Sequence, residues 1–261
     1  MARWDYTKID YDTIKCDKVA ANEILFQLIA IASFIEITSD LYEKNLVEFY
    51  EGDLSLVEWL ANTWEPEEIQ HGKSLKKYVQ TVWPRFDWDD AYSKFRNEYG
   101  ALCTLDEFQP TRAKELLARM VVETGTSTFY KALQRYAQDL QEPVLTEIAA
   151  NISKDEVYHY EIFEDGFQKY NQEEKLSRTE ITKVIYARLK EANDEDVSIA
   201  FKYIHPNGSY EAFKKEVKHF AKIYYPYNMA VKMLMRPLKL NHYIEKATAS
   251  TIEKALKVLG I

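Results

Sequence analysis

Apolar residues recur at helical spacing through long stretches poor in glycine and proline, and this pattern predicts an all-α protein. A first helix is expected from Asp17 to Asn45. Its most apolar run, Ile24 to Ile37, carries Gln27 and Glu36 and is too short to span a bilayer, so it reads as a buried helix with no membrane span. Residues 1–16 show no clear period and read as an arm lying on the helices. The apolar stripe Leu54, Leu56, Val57 and Leu60 leads towards a second helix over Pro66 to Thr81. Pro66 and the surrounding glutamates suit its first turn. A connector helix is expected over Trp88 to Tyr99, a third main helix from Pro110 or Thr111 to Asp139, and a fourth from Glu142-Pro143 to Tyr170. From Ser177 the pattern stays helical, with breaks at His205-Pro206-Asn207-Gly208, Pro226 and Pro237.

Polar residues placed inside these apolar helices carry the chemistry. Glu68-Ile69-Gln70-His71 and Glu156-Val157-Tyr158-His159 repeat the spacing Glu-x-x-His, which puts a carboxylate and an imidazole on one helix face. Each is preceded by a lone glutamate in an apolar helix: Glu36 stands 32 residues before Glu68, and Glu123 stands 33 before Glu156. Burying an unpaired carboxylate costs on the order of several kcal/mol, so such groups are neutralised, paired or metal-bound. No basic residue lies within one turn of Glu36, while Arg119 at i−4 offers Glu123 a partner. Four carboxylates and two imidazoles converging between four helices form the ligand set of a di-iron or di-manganese bundle. The expected metal ligands are therefore Glu36, Glu68, His71, Glu123, Glu156 and His159. The oxygen-rich shell with one nitrogen per metal favours two iron ions, with manganese or a mixed Mn/Fe pair as alternatives.

Glu123 is followed by Thr124-Gly125-Thr126-Ser127-Thr128, poor helix formers at the middle of a helix. Thr126 at i+3 and Ser127 at i+4 share the ligand face. They either leave room for a substrate, with the Thr126 hydroxyl relaying a proton, or let helices pack closely. Tyr130, Tyr158 and Tyr160 read as core aromatics before redox-active ones, and His205, His219 and His242 sit at no ligand spacing.

The balance of 34 Lys and Arg against 42 Asp and Glu gives a net charge of −8 and argues against nucleic acid as the main partner. The charge is uneven, because residues 201–261 hold 11 basic residues against 4 acidic ones. That basic tail reads as a solvated helix surface or as a dock for an acidic partner. Cys16 and Cys103 are far apart, which fits a reducing, cytoplasmic setting better than a disulfide framework.

Around these motifs the chain resembles the soluble acyl-carrier-protein desaturases of the ferritin-like superfamily. Trp64-Glu65-Pro66-Glu67-Glu68-Ile69-Gln70-His71-Gly72 is similar to their Trp-x-x-Glu-Glu-x-x-His-Gly. Asp155-Glu156-Val157-Tyr158-His159 is similar to their Asp-Glu-x-x-His, and Glu123 with Thr126 to their Glu-x-x-Thr. The resemblance covers about residues 20–170 and implies the same six ligands, with Thr126 and Asp155 supporting them. It departs where Glu123 lacks the usual bulkier, basic neighbour and where Tyr160 follows His159. The expected architecture is one domain, a ferritin-like four-helix bundle (about 17–172) with additional C-terminal helices (about 177–261), assembling as a homodimer. The implied activity is an oxygen-activating oxidoreductase that desaturates a fatty acyl chain on acyl carrier protein, fed by a ferredoxin-like or other electron donor. Related readings are a di-iron oxygenase or oxidase of a free aldehyde, fatty acid or small metabolite, and, more distantly, iron storage or peroxide detoxification.

Overall fold

The computed structural model describes residues 3–105, 108–191 and 195–240, and among them regular structure is helical, with no strand. The chain divides into two compact units. The first comprises Met1–Phe108, Gln134–Asn151 and Asp194–Glu216, and the second Gln109–Leu133, Ile152–Asn193 and Val217–Ile261.

In the first unit the N-terminal arm forms two short 3-10 turns, Tyr6–Lys8 and Tyr11–Thr13. Asp5 and Asp10 start them by accepting backbone N–H bonds two residues on, a local bond these side chains make readily. The predicted helix from Asp17 to Asn45 is three pieces: α1 (Cys16–Val19), α2 (Glu23–Ile37) and α3 (Ser39–Phe49). Asn22 interrupts it by capping α2 through a bond from the Leu25 N–H (3.1 Å). Thr38 breaks it again, bonding its hydroxyl back to the Phe34 carbonyl (2.8 Å). By length and composition alone Glu23–Phe49 could cross a bilayer, yet 67% of its apolar window is buried, as in a core helix.

The stripe at Leu54 forms α4 (Leu54–Trp59), which passes through a π-turn (Leu60–Trp64) into α5 (Glu65–Val82). The expected start at Pro66 is thus continuous helix upstream. Proline has no N–H, and its ring clashes with the carbonyl four residues back in a regular helix. The wider turn, closed by Glu65 N–H on the Leu60 carbonyl, absorbs both faults.

Helix α5 packs on α2, and Gly72 lets the two backbones meet. A Cβ there would stand 2.7 Å from Ile37 N and 3.0 Å from Glu36 Cβ. Helix α6 (Trp88–Gly100), capped by Asp87, adds Trp88, Tyr92 and Phe95 around Phe34. The Trp88 indole N–H bonds to buried Ser33 (2.9 Å). A later helix, α10 (Glu195–Ile204), packs on α2 and α6.

Helices α7 (Arg112–Asp139) and α8 (Pro143–Glu174) match the third and fourth predicted helices and extend the latter. Thr111 caps α7 through the Lys114 N–H. Fully buried Glu142 caps α8 through the Val144 and Leu145 N–H groups and also accepts from the Tyr78 hydroxyl (3.1 Å). Beyond lie α9 (Arg178–Glu191), α10 (Glu195–Ile204), α11 (Tyr210–Tyr224) and α12 (Tyr227–Met235), broken where His205–Gly208 and Pro226 were expected to break them. The rest of the predicted helical tail, with His242, lies outside the described residues.

Replacing Gly72 by alanine should lower stability by about 1–3 kcal/mol, the usual cost of overpacking. Denaturant unfolding checks it; a gain from the better helix former would show that α2 and α5 are not in close contact.

Candidate metal centre

Each unit carries one buried triad. In the first, α2 supplies Glu36, and α5 supplies Glu68 and His71, whose ligand atoms all lie within 4.8 Å of one another. His71 Nδ1 is 3.5 Å from Glu36 Oε2 and 3.9 Å from Glu68 Oε2. In the second, α7 supplies Glu123, and α8 supplies Glu156 and His159, again within 4.8 Å. His159 Nδ1 is 3.8 Å from both Glu123 Oε2 and Glu156 Oε2. The six residues are 0–7% exposed.

These separations exceed an ordinary N–H···O hydrogen bond. They are close to the spacing of neighbouring ligands on one ion. Two donors roughly 2.1 Å from a metal and 90–120° apart around it stand about 3.0–3.6 Å from each other. The donor set, two carboxylates and one imidazole nitrogen per triad, suits iron or manganese, and neutral imidazole with ionised carboxylate is the form a divalent ion selects. The residues present therefore fit the expected group.

Thr126 stands where the sequence placed it. Its hydroxyl donates to Glu156 Oε2 at 2.8 Å, and the residue is only partly buried. Asp155 is buried beside Glu156 on α8. The other small residues after Glu123 have different uses. Ser127 donates to Met233 Sδ (3.6 Å) and Thr128 to the Tyr225 hydroxyl (2.8 Å), so both serve helix packing. Gly125 is exposed, and a Cβ there would meet nothing within 4 Å. Arg119 pairs with Glu115 four residues earlier (2.9 Å).

In the second unit Leu117, Met120, Thr124, Tyr160, Ile185 and Met233, among others, line a tight apolar seam too narrow to admit water. Both polar side chains in that set have spent their hydroxyls. Thr124 donates to the Met120 carbonyl (2.8 Å) and Tyr160 to the Met233 carbonyl (2.7 Å). Desolvation pushes the Tyr160 hydroxyl well above the usual tyrosine pKa, with nearby Glu164 adding to it. Tyr130 and Tyr160 are core residues, and Tyr158 is half-buried. His205 stacks on Phe201 with its Nδ1 3.3 Å from Glu23, away from both triads in sequence and role, and His219 is exposed.

Two residues near the first triad carry no motif. Trp4 of the arm stacks on the His71 ring, and Gly72 sets the approach of α5 to Glu36. A tryptophan in an aperiodic arm gives no spacing signal; the glycine was visible only as part of a family pattern.

No protein-family profile matches this chain, and no curated protein is significantly similar to it. The chemistry assigned to the triads therefore rests on their residues.

Replacing Thr126 by valine, which keeps the shape and removes the hydroxyl, takes one neutral donor from Glu156 Oε2. Metal content should be retained, while the optical or paramagnetic signature of the loaded protein shifts. An unchanged signature would show that Thr126 does not act on the centre.

Proposed function

We propose that the chain is a ferritin-like, non-haem di-iron oxidoreductase whose two triads together hold one pair of metal ions. The observation that carries this reading is the pair of buried Glu-Glu-His triads, each with ligand atoms gathered inside 4.8 Å. The repeated sequence order, lone Glu then Glu-x-x-His, supports treating the two as halves of one centre. Buried carboxylates of this number are stable when a cation compensates them and costly when it does not.

Bound iron would supply the redox chemistry by which dioxygen oxidises an unactivated C–H bond. The chain's own residues do the rest. The four glutamates present fixed negative charge to the cations, and the two histidines offer Nδ1. Thr126 holds a proton at Glu156 Oε2 and, being partly exposed, can exchange it with solvent. The tight apolar seam keeps water from Thr124 and Tyr160, the chain neighbours of Glu123 and His159.

Lys215, Lys218 and Lys222 are exposed along α11 at helical spacing and would complement an acidic acyl carrier protein. Desaturation of the carrier-bound chain follows from the motif resemblance, with a ferredoxin-like donor supplying electrons and a homodimer as the working assembly.

Metal analysis of protein loaded with ferrous iron should find two ions per chain. Glu68→Ala and Glu156→Ala should each lose metal, with melting temperature reported alongside to separate ligand loss from unfolding. Paramagnetic resonance of the loaded protein should show two coupled ions. Two uncoupled ions would leave two separate mononuclear sites and sink the paired centre, and no metal would sink the reading altogether.

A further inference from the structure

The indole of Trp4 stacks on the imidazole of His71, with ring centroids 6.2 Å apart and planes 11° from parallel. Trp4 belongs to the N-terminal arm, more than sixty residues from the ligand it touches. The arm is fixed to α5 from behind. Ile9, Tyr11 and Ile14 are buried, the Tyr11 hydroxyl donates to the Ser74 carbonyl (3.3 Å), and Lys77 Nζ lies 4.3 Å above the Tyr11 ring. Ser74 in turn donates to the carbonyl of His71 (2.7 Å). The arm thus grips the turn of α5 that follows the ligand and brings an aromatic plane onto the ligand's ring, while Trp4 stays partly exposed.

The contact matters because of what a histidine ring is free to do. Its outer torsion is broad and roughly two-fold, so backbone position alone does not decide which nitrogen faces a metal. In this protein Nδ1 faces Glu36 and Glu68. A flat neighbour parallel to the imidazole narrows that torsion without taking up a ring nitrogen.

We propose that Trp4 is a positioning residue for the ligand His71 and governs how firmly the first triad retains its metal. The proposal rests on reading the triads as metal sites. Partners that orient a ligating histidine typically change metal affinity by about 10–100-fold. Stacking on the ring should act within that range, through release of the ion.

The test follows release of ferrous iron from loaded protein to a coloured ferrous chelator. Wild-type protein should release its two equivalents slowly. In Trp4→Ala one equivalent should leave roughly 10–100-fold faster and the other at the wild-type rate. Trp4→Phe, which keeps a flat ring, should stay near wild type. The selectivity for one equivalent separates positioning from general loosening of the fold. If Trp4→Ala releases both equivalents at the wild-type rates, the proposal is overturned. It is overturned equally if both accelerate together with a lowered melting temperature, because the arm then only stabilises the protein. A wild-type protein that takes up no metal overturns the di-iron reading and this proposal with it, whereas two retained ions and an indifferent Trp4→Ala overturn this proposal alone.

Discussion

Carboxylates buried in the middle of packed helices are the constraint on which the rest of this structure depends. Glu36, Glu68, Glu123 and Glu156 sit among residues such as Phe34, Val121 and Ile152 that exclude water almost completely. Removing ions of this size from water is unfavourable by several kcal/mol each, even after the surroundings relax. A sequence built only for stability would fill these positions with leucine. Here each carboxylate stands beside an imidazole instead, and much of the nearby architecture keeps them close. Gly72 brings the backbone bearing His71 against the backbone bearing Glu36, and Thr126 donates to Glu156.

The surroundings of the second triad show how polar atoms are managed next to such a site. Ser127, Thr128, Thr124 and Tyr160 all carry hydroxyls within a turn or so of a ligand. Each donates to a carbonyl, a thioether or another hydroxyl. Only the Thr126 hydroxyl points its hydrogen at a ligand among these residues. A run of small hydroxyl residues that looks uniform in sequence is divided by the fold into packing contacts and one chemical contact.

Much of this was legible in the sequence, for physical reasons that also explain what was not. Helical periodicity placed α5, α6, α7 and α8 because long amphipathic helices repeat their pattern many times. The Glu-x-x-His spacing placed a carboxylate beside an imidazole twice because residues three apart share a face. The interruption between α2 and α3 was hidden, since it falls at Thr38, whose hydroxyl bonds back to the Phe34 carbonyl, and not at a glycine or proline. Trp4 was hidden because its contact spans the chain and has no period. The partner of Arg119 was open on spacing alone: Glu115 and Glu123 are both four residues away, and three-dimensional packing supplies the Glu115 pair. The α12 contacts to α7 were unreadable because nothing local ties Met233 to Ser127.

The π-turn at Leu60–Trp64 has a bearing on how this sequence can diversify. A regular helix running unbroken from Leu54 would lock the angular phase of α4 to that of Glu68 and His71, so any gain or loss of a residue upstream would swing the ligands round the axis by about 100°. A wide turn can take up or give back one residue by tightening or loosening, at the place where Pro66 already prevents regular bonding. It works as a slip joint. Length changes in α4 can be absorbed before they reach Glu68 and His71, so the phase of α5 is held.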